Sequence, residues 1–125
     1  MIMARKVLFI CYANRPRSPA AVRVFSELLV EKGYKVFGRG IYSNPEFEVT
    51  SAGVCADDDG NELTEEHLAT ANQIFFMHQS VLSEAERYYK IPKEKSVVLD
   101  IPDIYGRDSN ALEDILHKQL EPYVP

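Results

Sequence analysis

The chain is predicted to fold as a three-layer α/β sandwich, in which a four-stranded parallel sheet lies between helices on both faces. Short apolar runs alternate along the sequence with segments of helical periodicity, and this alternation is typical of parallel sheets. The runs at Val7–Ile10 and Gln73–Met77 are almost continuously apolar, which indicates central strands buried on both faces. With 125 residues the chain is long enough for one core, so residues 1–125 are interpreted as a single domain.

The first half of the chain is predicted to contain the opening strand, a helix and an outer strand. The helix runs from about Pro19 to Lys32, because apolar residues recur on one face and Gly33 supplies a stop. Ser18 is expected to cap this helix, with Pro19 at its first position. An outer strand is predicted to end at Gly53, since apolar and polar residues alternate before it. The helix residues predicted to be buried are Ala21, Val24, Phe25, Leu28 and Leu29.

The second half of the chain alternates helices with strands. Thr64 is expected to cap a short helix, with His67 three positions later, and Pro92 is expected to end the next helix. The predicted elements are a helix opening at Thr64, a strand at Gln73–Met77, a helix from Ser80 to Lys90, a strand at Ser96–Asp100, and a helix from Ser109 to Leu120 that buries Leu112, Ile115, Leu116 and Leu120.

Composition and charge exclude several classes of protein. The chain has 46% apolar and 26% charged residues, which is ordinary for a soluble globular protein. Its net charge of −5 disfavours nucleic acid as a partner, so an anionic ligand must be attracted by local positive charge. Two cysteines, Cys11 and Cys55, provide neither a disulfide framework nor a four-ligand metal site. No apolar stretch suits a signal peptide or a membrane span, so a cytoplasmic protein without membrane contact is expected.

The loop between the first strand and the first helix carries the clearest chemistry. It begins with Cys11 and ends with Arg17, and backbone N–H groups at a helix start bind tetrahedral anions. In such a loop the nucleophilic thiolate is favoured, and an arginine fork grips two phosphate oxygens. Asn14 tolerates the left-handed backbone of a tight loop, and Ser18 can hydrogen-bond the thiolate. The simpler interpretation is a core cysteine and a surface arginine; the position between a strand and a capped helix disfavours it.

The sequence Cys11, five residues, Arg17, Ser18 and Pro19 resembles the signature of the low-molecular-weight protein tyrosine phosphatases, and Asn14 matches the asparagine of that family's loop. The resemblance implies that Cys11 attacks phosphorus and forms a cysteinyl phosphate, while Arg17 and the loop amides hold the phosphate oxygens. It implies no metal and no organic cofactor. Arsenate reductases share this fold and loop, so the substrate stays open at this point. The implied phosphate-binding residues are Tyr12, Ala13, Asn14, Arg15, Pro16 and Ser18.

A second stretch, from Asp100 to Gly106, is similar to the acid loop of the same family. The resemblance places the general acid at Asp103 and an aromatic wall for a phenyl ring at Tyr105, with Ile104 where the family usually has proline. Asp100 is the alternative acid, because it lies directly at the strand end; its other interpretation is a cap for loop amides. Tyr105 would otherwise be a half-buried loop tyrosine.

The chain departs from the family pattern in the segment after Gly53. This segment is shorter than in typical members, and an acidic turn replaces a loop that often carries an aromatic pocket residue, which disfavours acidic phosphopeptides as substrates. Ser51 matches a family serine near the active loop and is interpreted either as a support for that loop or as an ordinary strand-end serine. Pro16 stands where the family has a second loop cysteine, so protective oxidation by that route is not expected. The role of Cys55 is left open.

The function predicted from these residues is phosphomonoester hydrolysis, most directly of a phosphorylated protein at tyrosine or of a small aryl phosphate, with inorganic phosphate as a product. Three other functions stay open. An arsenate reductase would use the same fold and loop. A phosphocarrier would use a strand-end cysteine on a similar sheet, but such carriers lack the arginine that Arg17 provides. A phosphate-binding module without turnover is compatible with Ile104 and with the short segment after Gly53.

Overall fold

Four parallel strands form one sheet in the part of the chain that the structure describes. A computed structural model of the chain describes residues 4–12, 17–40, 44–55, 61–102, 104 and 109–125. The strands are β1 (Arg5–Cys11), β2 (Phe47–Gly53), β3 (Gln73–Phe76) and β4 (Ser96–Val98). Their order across the sheet is β2-β1-β3-β4, and every neighbouring pair is parallel. The predicted four-stranded parallel sheet is confirmed, with the first and third strands in its interior and the second at an edge.

Helices cover both faces of this sheet, as predicted. The helices are α1 (Arg17–Glu31), α2 (Glu65–Thr70), α3 (Gln79–Glu86) and α4 (Asn110–Leu120), with short 3₁₀ turns at Lys93–Lys95 and Glu121–Tyr123. α1 and α4 contribute to the apolar cluster on one face, and α2 and α3 to the cluster on the other. Among the described residues, no helix combines the length and the apolar character that crossing a membrane requires.

β1 is buried on both faces, which explains its nearly continuous apolar sequence. Val7 and Phe9 belong to the cluster under α1 and α4, whereas Leu8 and Ile10 belong to the cluster under α2 and α3. All four side chains are at most 4% exposed. A slip of one residue would place every side chain in the wrong cluster, so the register of β1 is strongly specified.

α1 begins earlier than predicted, and this changes the role of Ser18. The helix starts at Arg17, so Pro19 is its third residue rather than its first. Proline is tolerated there because the N–H groups of the first turn have no partner inside the helix. Ser18 lies within the first turn rather than ahead of it, and its hydroxyl oxygen lies 2.9 Å from Sγ of Cys11. The prediction that Ser18 caps the helix is wrong, whereas its predicted contact with the cysteine is present.

Gly33 ends α1 as predicted. Its φ of 92° is a left-handed conformation that glycine adopts without strain. The N–H of Gly33 donates to the carbonyl of Val30 at 2.9 Å, and the N–H of Tyr34 donates to the carbonyl of Leu29 at 3.0 Å. These bonds satisfy carbonyls that the end of the helix leaves without partners. The five residues predicted to face the core are all buried, namely Ala21, Val24, Phe25, Leu28 and Leu29.

The predicted starts of α2 and α4 are confirmed. Thr64 precedes α2, and its side chain accepts a hydrogen bond from the backbone N–H of His67, whose ring accepts one from the N–H of Thr64. Ser109 caps α4 by accepting from the N–H of Leu112. On α4 the predicted core residues Leu112, Leu116 and Leu120 are buried, and Ile115 is partly buried.

α3 is shorter than predicted, because the chain leaves the helix before Lys90. The helix ends at Glu86, and the next residues form a turn. Tyr89 in this turn donates a hydrogen bond from its hydroxyl to the carbonyl of Leu63 at 2.8 Å, and Ile91 is buried against the second cluster. The hydrogen bond of Tyr89 and the burial of Ile91 hold the chain in a direction that differs from the axis of α3.

Aromatic rings pack against one another in the core between the sheet and α1. The rings of Phe9 and Phe75, on neighbouring strands, are stacked with centroids 4.9 Å apart. Phe25 of α1 meets Phe9 edge-on at 5.7 Å, and Tyr123 near the C-terminus meets Phe75 edge-on at 5.1 Å. Pairs of this kind stabilise the fold beyond the area that they bury.

We expect Phe75→Ala to lower the free energy of unfolding by about 3–5 kcal/mol, because it leaves a cavity where three aromatic rings meet. Phe37→Ala is the matched control, since Phe37 is 66% exposed and its truncation should cost less than about 0.5 kcal/mol. Urea unfolding followed by circular dichroism measures both. Similar losses for the two variants would contradict this description of the core.

Candidate active site

Cys11 is the last residue of β1, at the edge of the sheet where the carboxyl ends of the strands meet. Both neighbouring strands hold this end. The N–H of Val54 donates to the carbonyl of Cys11 at 3.0 Å, and the N–H of Met77 donates to the carbonyl of Ile10 at 2.9 Å. Gly53 of β2 pairs in register with Cys11. The backbone of Cys11 is thus fixed at the edge where parallel-sheet folds bind their ligands.

The thiol of Cys11 is enclosed and contacts a hydroxyl. Cys11 and Ser18 are both 0% exposed, and the distance from Sγ to Oγ is 2.9 Å. A hydroxyl in this position can donate a hydrogen bond to a thiolate. The strand places the sulfur and the first turn of α1 places the hydroxyl, so the contact depends on how these two elements pack.

Arg17 opens α1 and is only 4% exposed. Its Nη1 donates to the backbone carbonyl of Ile101 at 2.9 Å, which ties the start of α1 to the segment after β4. The first turn of α1 contains no acidic residue, so its partial positive charge is not compensated from within the helix. A buried guanidinium at such a helix start is suited to a tetrahedral oxyanion.

The segment after β4 is held through its backbone. Gln119 of α4 accepts from the N–H of Asp100 at 2.8 Å and donates to the carbonyl of Asp100 at 2.9 Å. The carboxylate of Asp100 is 89% exposed and lies 3.7 Å from Nε2 of His78. The N–H of Ile101 also donates to the carbonyl of Met77 at 2.9 Å, so this segment is held by the sheet backbone, Gln119 and Arg17 rather than by the Asp100 carboxylate.

Tyr12 directly follows Cys11 at the end of β1 and is 49% exposed. Its carbonyl accepts from the N–H of Cys55 at 2.7 Å, and its side chain forms a hydrogen bond with the thiol of the same residue. The negative charge of a Cys55 thiolate, followed by this hydrogen bond, raises the pKa of the Tyr12 hydroxyl, and Glu84 contributes in the same direction. Tyr12 therefore stays a neutral hydrogen-bonding group at physiological pH.

The structure brings Cys11, Arg17 and Ser18 together and places Tyr12 beside them. Ile104 is 77% exposed. Ser51 is half-buried on β2, in register with Phe9, and its support of the loop stays a prediction. The remaining predicted residues, Ala13, Asn14, Arg15, Pro16, Asp103 and Tyr105, lie outside the described residues.

Two contributors to the site were not predicted from the sequence. Gln119 clamps the backbone of Asp100, yet in the sequence it is only a polar residue beside a helix core position. The N–H groups of Val54 and Cys55 continue the pairing of β2 with β1 beyond the end of the strand. The alternation of apolar and polar residues does not predict these two hydrogen bonds. Among the described residues, no three His, Cys, Asp or Glu side chains cluster closely enough to hold a metal ion.

The fold matches solved low-molecular-weight protein tyrosine phosphatases. The enzyme of this kind from Bacillus subtilis has a TM-score of 0.67 and 20% identity, over 94% of this chain and 97% of that one. The tyrosine phosphatase Wzb from Escherichia coli K30, solved with phosphate, gives 0.68 and 20%, over 98% and 97%. Wzb from Vibrio vulnificus, solved with benzylphosphonate, gives 0.70 and 18%, over 97% of both chains. No protein-family model matches the chain, nor does any curated protein sequence.

Inorganic phosphate is expected to protect Cys11 from alkylation, because an anion bound at the start of α1, where Arg17 and Ser18 lie, would block access to Sγ. The experiment uses Cys55→Ser protein, in which Cys11 is the remaining thiol, and follows its reaction with iodoacetamide. With phosphate at about ten times its Kd, the rate should fall about tenfold.

The matched control is Cys11→Ser protein, which retains only the exposed Cys55. Its alkylation should proceed equally fast with and without phosphate. An equal rate for Cys11 under both conditions would contradict an anion site at this edge of the sheet.

Proposed function

We propose that this chain, which has the fold of the low-molecular-weight protein tyrosine phosphatases, hydrolyses phosphomonoesters through a cysteinyl phosphate on Cys11. One observation carries the proposal: the sulfur of Cys11 lies 2.9 Å from Ser18 Oγ in the first turn of α1, which Arg17 opens as a buried cation. In this proposal Cys11 is the nucleophile, Ser18 hydrogen-bonds its sulfur, and Arg17 is the fork that binds the anion. The phosphate and benzylphosphonate complexes of the Wzb proteins support an arylphosphate-like ligand.

The proposed substrate is a protein phosphotyrosine or a small aryl phosphate. In the first step the thiolate of Cys11 attacks phosphorus, the bond from phosphorus to the phenolic oxygen breaks, and Asp103 donates its proton to that oxygen. In the second step Asp103 takes a proton from water, the water oxygen attacks phosphorus, and the thiolate and inorganic phosphate are released. Arg17 and the amides of residues 12–18 hold the equatorial oxygens in both steps.

A nucleophilic thiol needs a reducing compartment, so we propose that the protein acts in the cytoplasm. Hydrolysis of nitrophenyl phosphate by the purified protein, with Cys11→Ser as the control, tests the proposal directly. Phosphate binding without turnover in the unmodified protein would indicate a binding module instead. Reduction of arsenate in place of ester hydrolysis would indicate an arsenate reductase.

Arg17→Lys is expected to lower kcat/KM for an aryl phosphate by about 30-fold or more, which corresponds to at least about 2 kcal/mol of transition-state binding. Lysine keeps the charge but loses the planar fork. Arg23→Lys is the matched control, because Arg23 lies on the same helix, is 41% exposed and pairs with Glu113 at 2.8 Å. Urea unfolding of both variants separates the loss of the hydrogen bond to Ile101 from the loss of catalysis. A near-normal kcat/KM in folded Arg17→Lys protein would show that the fork is not used.

A general acid matters most when the leaving group is poor, and this distinguishes Asp103 from Asp100. Asp103→Asn should slow hydrolysis of phenyl phosphate by roughly 10²–10⁴-fold and that of an activated nitrophenyl ester much less. Asp100→Asn should slow both substrates by the same small factor, because the Asp100 carboxylate is 89% exposed and the backbone of this residue is held by Gln119.

The measurement is the ratio of kcat/KM values for the two substrates in each variant. A ratio that changes in Asp100→Asn but not in Asp103→Asn would move the acid to Asp100. A ratio that changes in neither variant would argue against acid-assisted phosphoester cleavage.

A further inference from the structure

A cavity lies beside Tyr12, the residue that follows Cys11 at the end of β1. We call it the Tyr12 pocket; it has a volume of about 250 Å³ and is lined by Tyr12, Val54, Cys55, Glu62, Glu84, Tyr88 and Tyr89. Its floor is bonded directly to the nucleophile's strand, because the N–H groups of Val54 and Cys55 donate to the carbonyls of Cys11 and Tyr12. These bonds place the pocket at the same end of β1 as Cys11 but on the side of the sheet covered by α3, so it can take a side chain other than the one bound at Cys11.

The Tyr12 pocket combines aromatic walls with negative charge. Tyrosines make up three of its seven lining residues, and two more are glutamates. Glu62 pairs through its backbone with Gly53, which is in register with Cys11, so its position relative to the nucleophile is set by the sheet. Glu84 acts on the Tyr12 side chain, since its charge helps to raise the pKa of that hydroxyl. None of the seven lining residues carries a positive charge.

Two of the lining residues, Glu84 and Tyr88, already contact a guanidinium of the chain outside the pocket. Arg87 lies 3.3 Å from a carboxylate oxygen of Glu84, and its guanidinium carbon lies 5.7 Å from the centroid of the Tyr88 ring. Arg87 is 67% exposed and does not line the pocket. Its two contacts with Glu84, at 3.3 and 3.4 Å, are long, and a carboxylate can accept several donors. Glu84 can therefore receive a second cation from the pocket side.

We propose that the Tyr12 pocket binds a lysine or arginine side chain of the phosphorylated protein, close in sequence to its phosphotyrosine. This inference rests on the proposed function and adds a substrate class to it. An aromatic ring attracts a cation through its face, and the two carboxylates supply the opposite charge. The same carboxylates would repel a peptide with acidic residues at that place.

The test uses phosphotyrosine peptides that are identical except at one position, which carries either lysine or its uncharged analogue norleucine. This position is moved from two residues before the phosphotyrosine to two residues after it. At one position or more, kcat/KM should be about fivefold higher for lysine than for norleucine, mainly through KM. This preference should shrink at high salt, because the pocket is open to solvent.

A double variant, Glu62→Gln with Glu84→Gln, tests whether the pocket causes the preference. The ratio of lysine to norleucine should fall to about one in the double variant. Glu86→Gln is the matched control, because Glu86 lies on the same helix but pairs with Lys93 at 2.9 Å outside the pocket. It should keep the full preference.

The outcomes separate this inference from the proposed function. A protein that hydrolyses nitrophenyl phosphate but treats lysine and norleucine peptides alike at all positions overturns the pocket assignment alone. A lysine preference that survives in the double variant overturns it as well, because another surface must then bind the cation. Failure to hydrolyse any aryl phosphate overturns the proposed function, and the substrate class falls with it.

Discussion

The hydrogen bonds on both sides of β1 are the constraint from which the rest of the site follows. β2 pairs with this strand along its whole length and β3 pairs with Val7–Ile10, and Val54 and Met77 continue the pairing at its carboxyl end. Alternate residues of β1 are buried in two different clusters, so the strand cannot shift by one position. Cys11 therefore emerges on the face covered by α1, which is the face where Ser18 and Arg17 lie.

The guanidinium of Arg17 is a charged group that the fold buries. Burying a guanidinium costs free energy unless hydrogen bonds and opposite charge compensate for it. The carbonyl of Ile101 provides one such hydrogen bond, at 2.9 Å from Nη1 of Arg17. An anion that binds only the folded state would also shift the folding equilibrium toward that state. Under the proposed function, phosphate bound at Arg17 would therefore also stabilise the fold.

Patterns of residue type were sufficient to predict the layers of the fold and the contact between Cys11 and Ser18. The apolar run of β1, the single apolar face of α1 and the spacing of Cys11 from Arg17 are local features, and each depends on a few neighbouring residues. The contacts that complete the site are not local. Gln119 reaches the backbone of Asp100 from α4, and the Tyr12 pocket joins the end of β2 to α3. The early end of α3 has the same origin, because Tyr89 is anchored to Leu63 by a tertiary hydrogen bond that no helix propensity records.

The bond between Arg17 and Ile101 joins residues 84 positions apart, and this separation has a consequence for biosynthesis. At translation rates of roughly 5–20 residues per second, the arginine precedes its partner carbonyl by about 4–17 s. During that interval Arg17 cannot yet form its hydrogen bond to Ile101. α4, which packs in the same apolar cluster as α1, is synthesised later still. The bond to Ile101 and the packing of α4 therefore form only after these later segments are made, so a ribosome-bound fragment that stops before Ile101 would hold Cys11 and Arg17 without them.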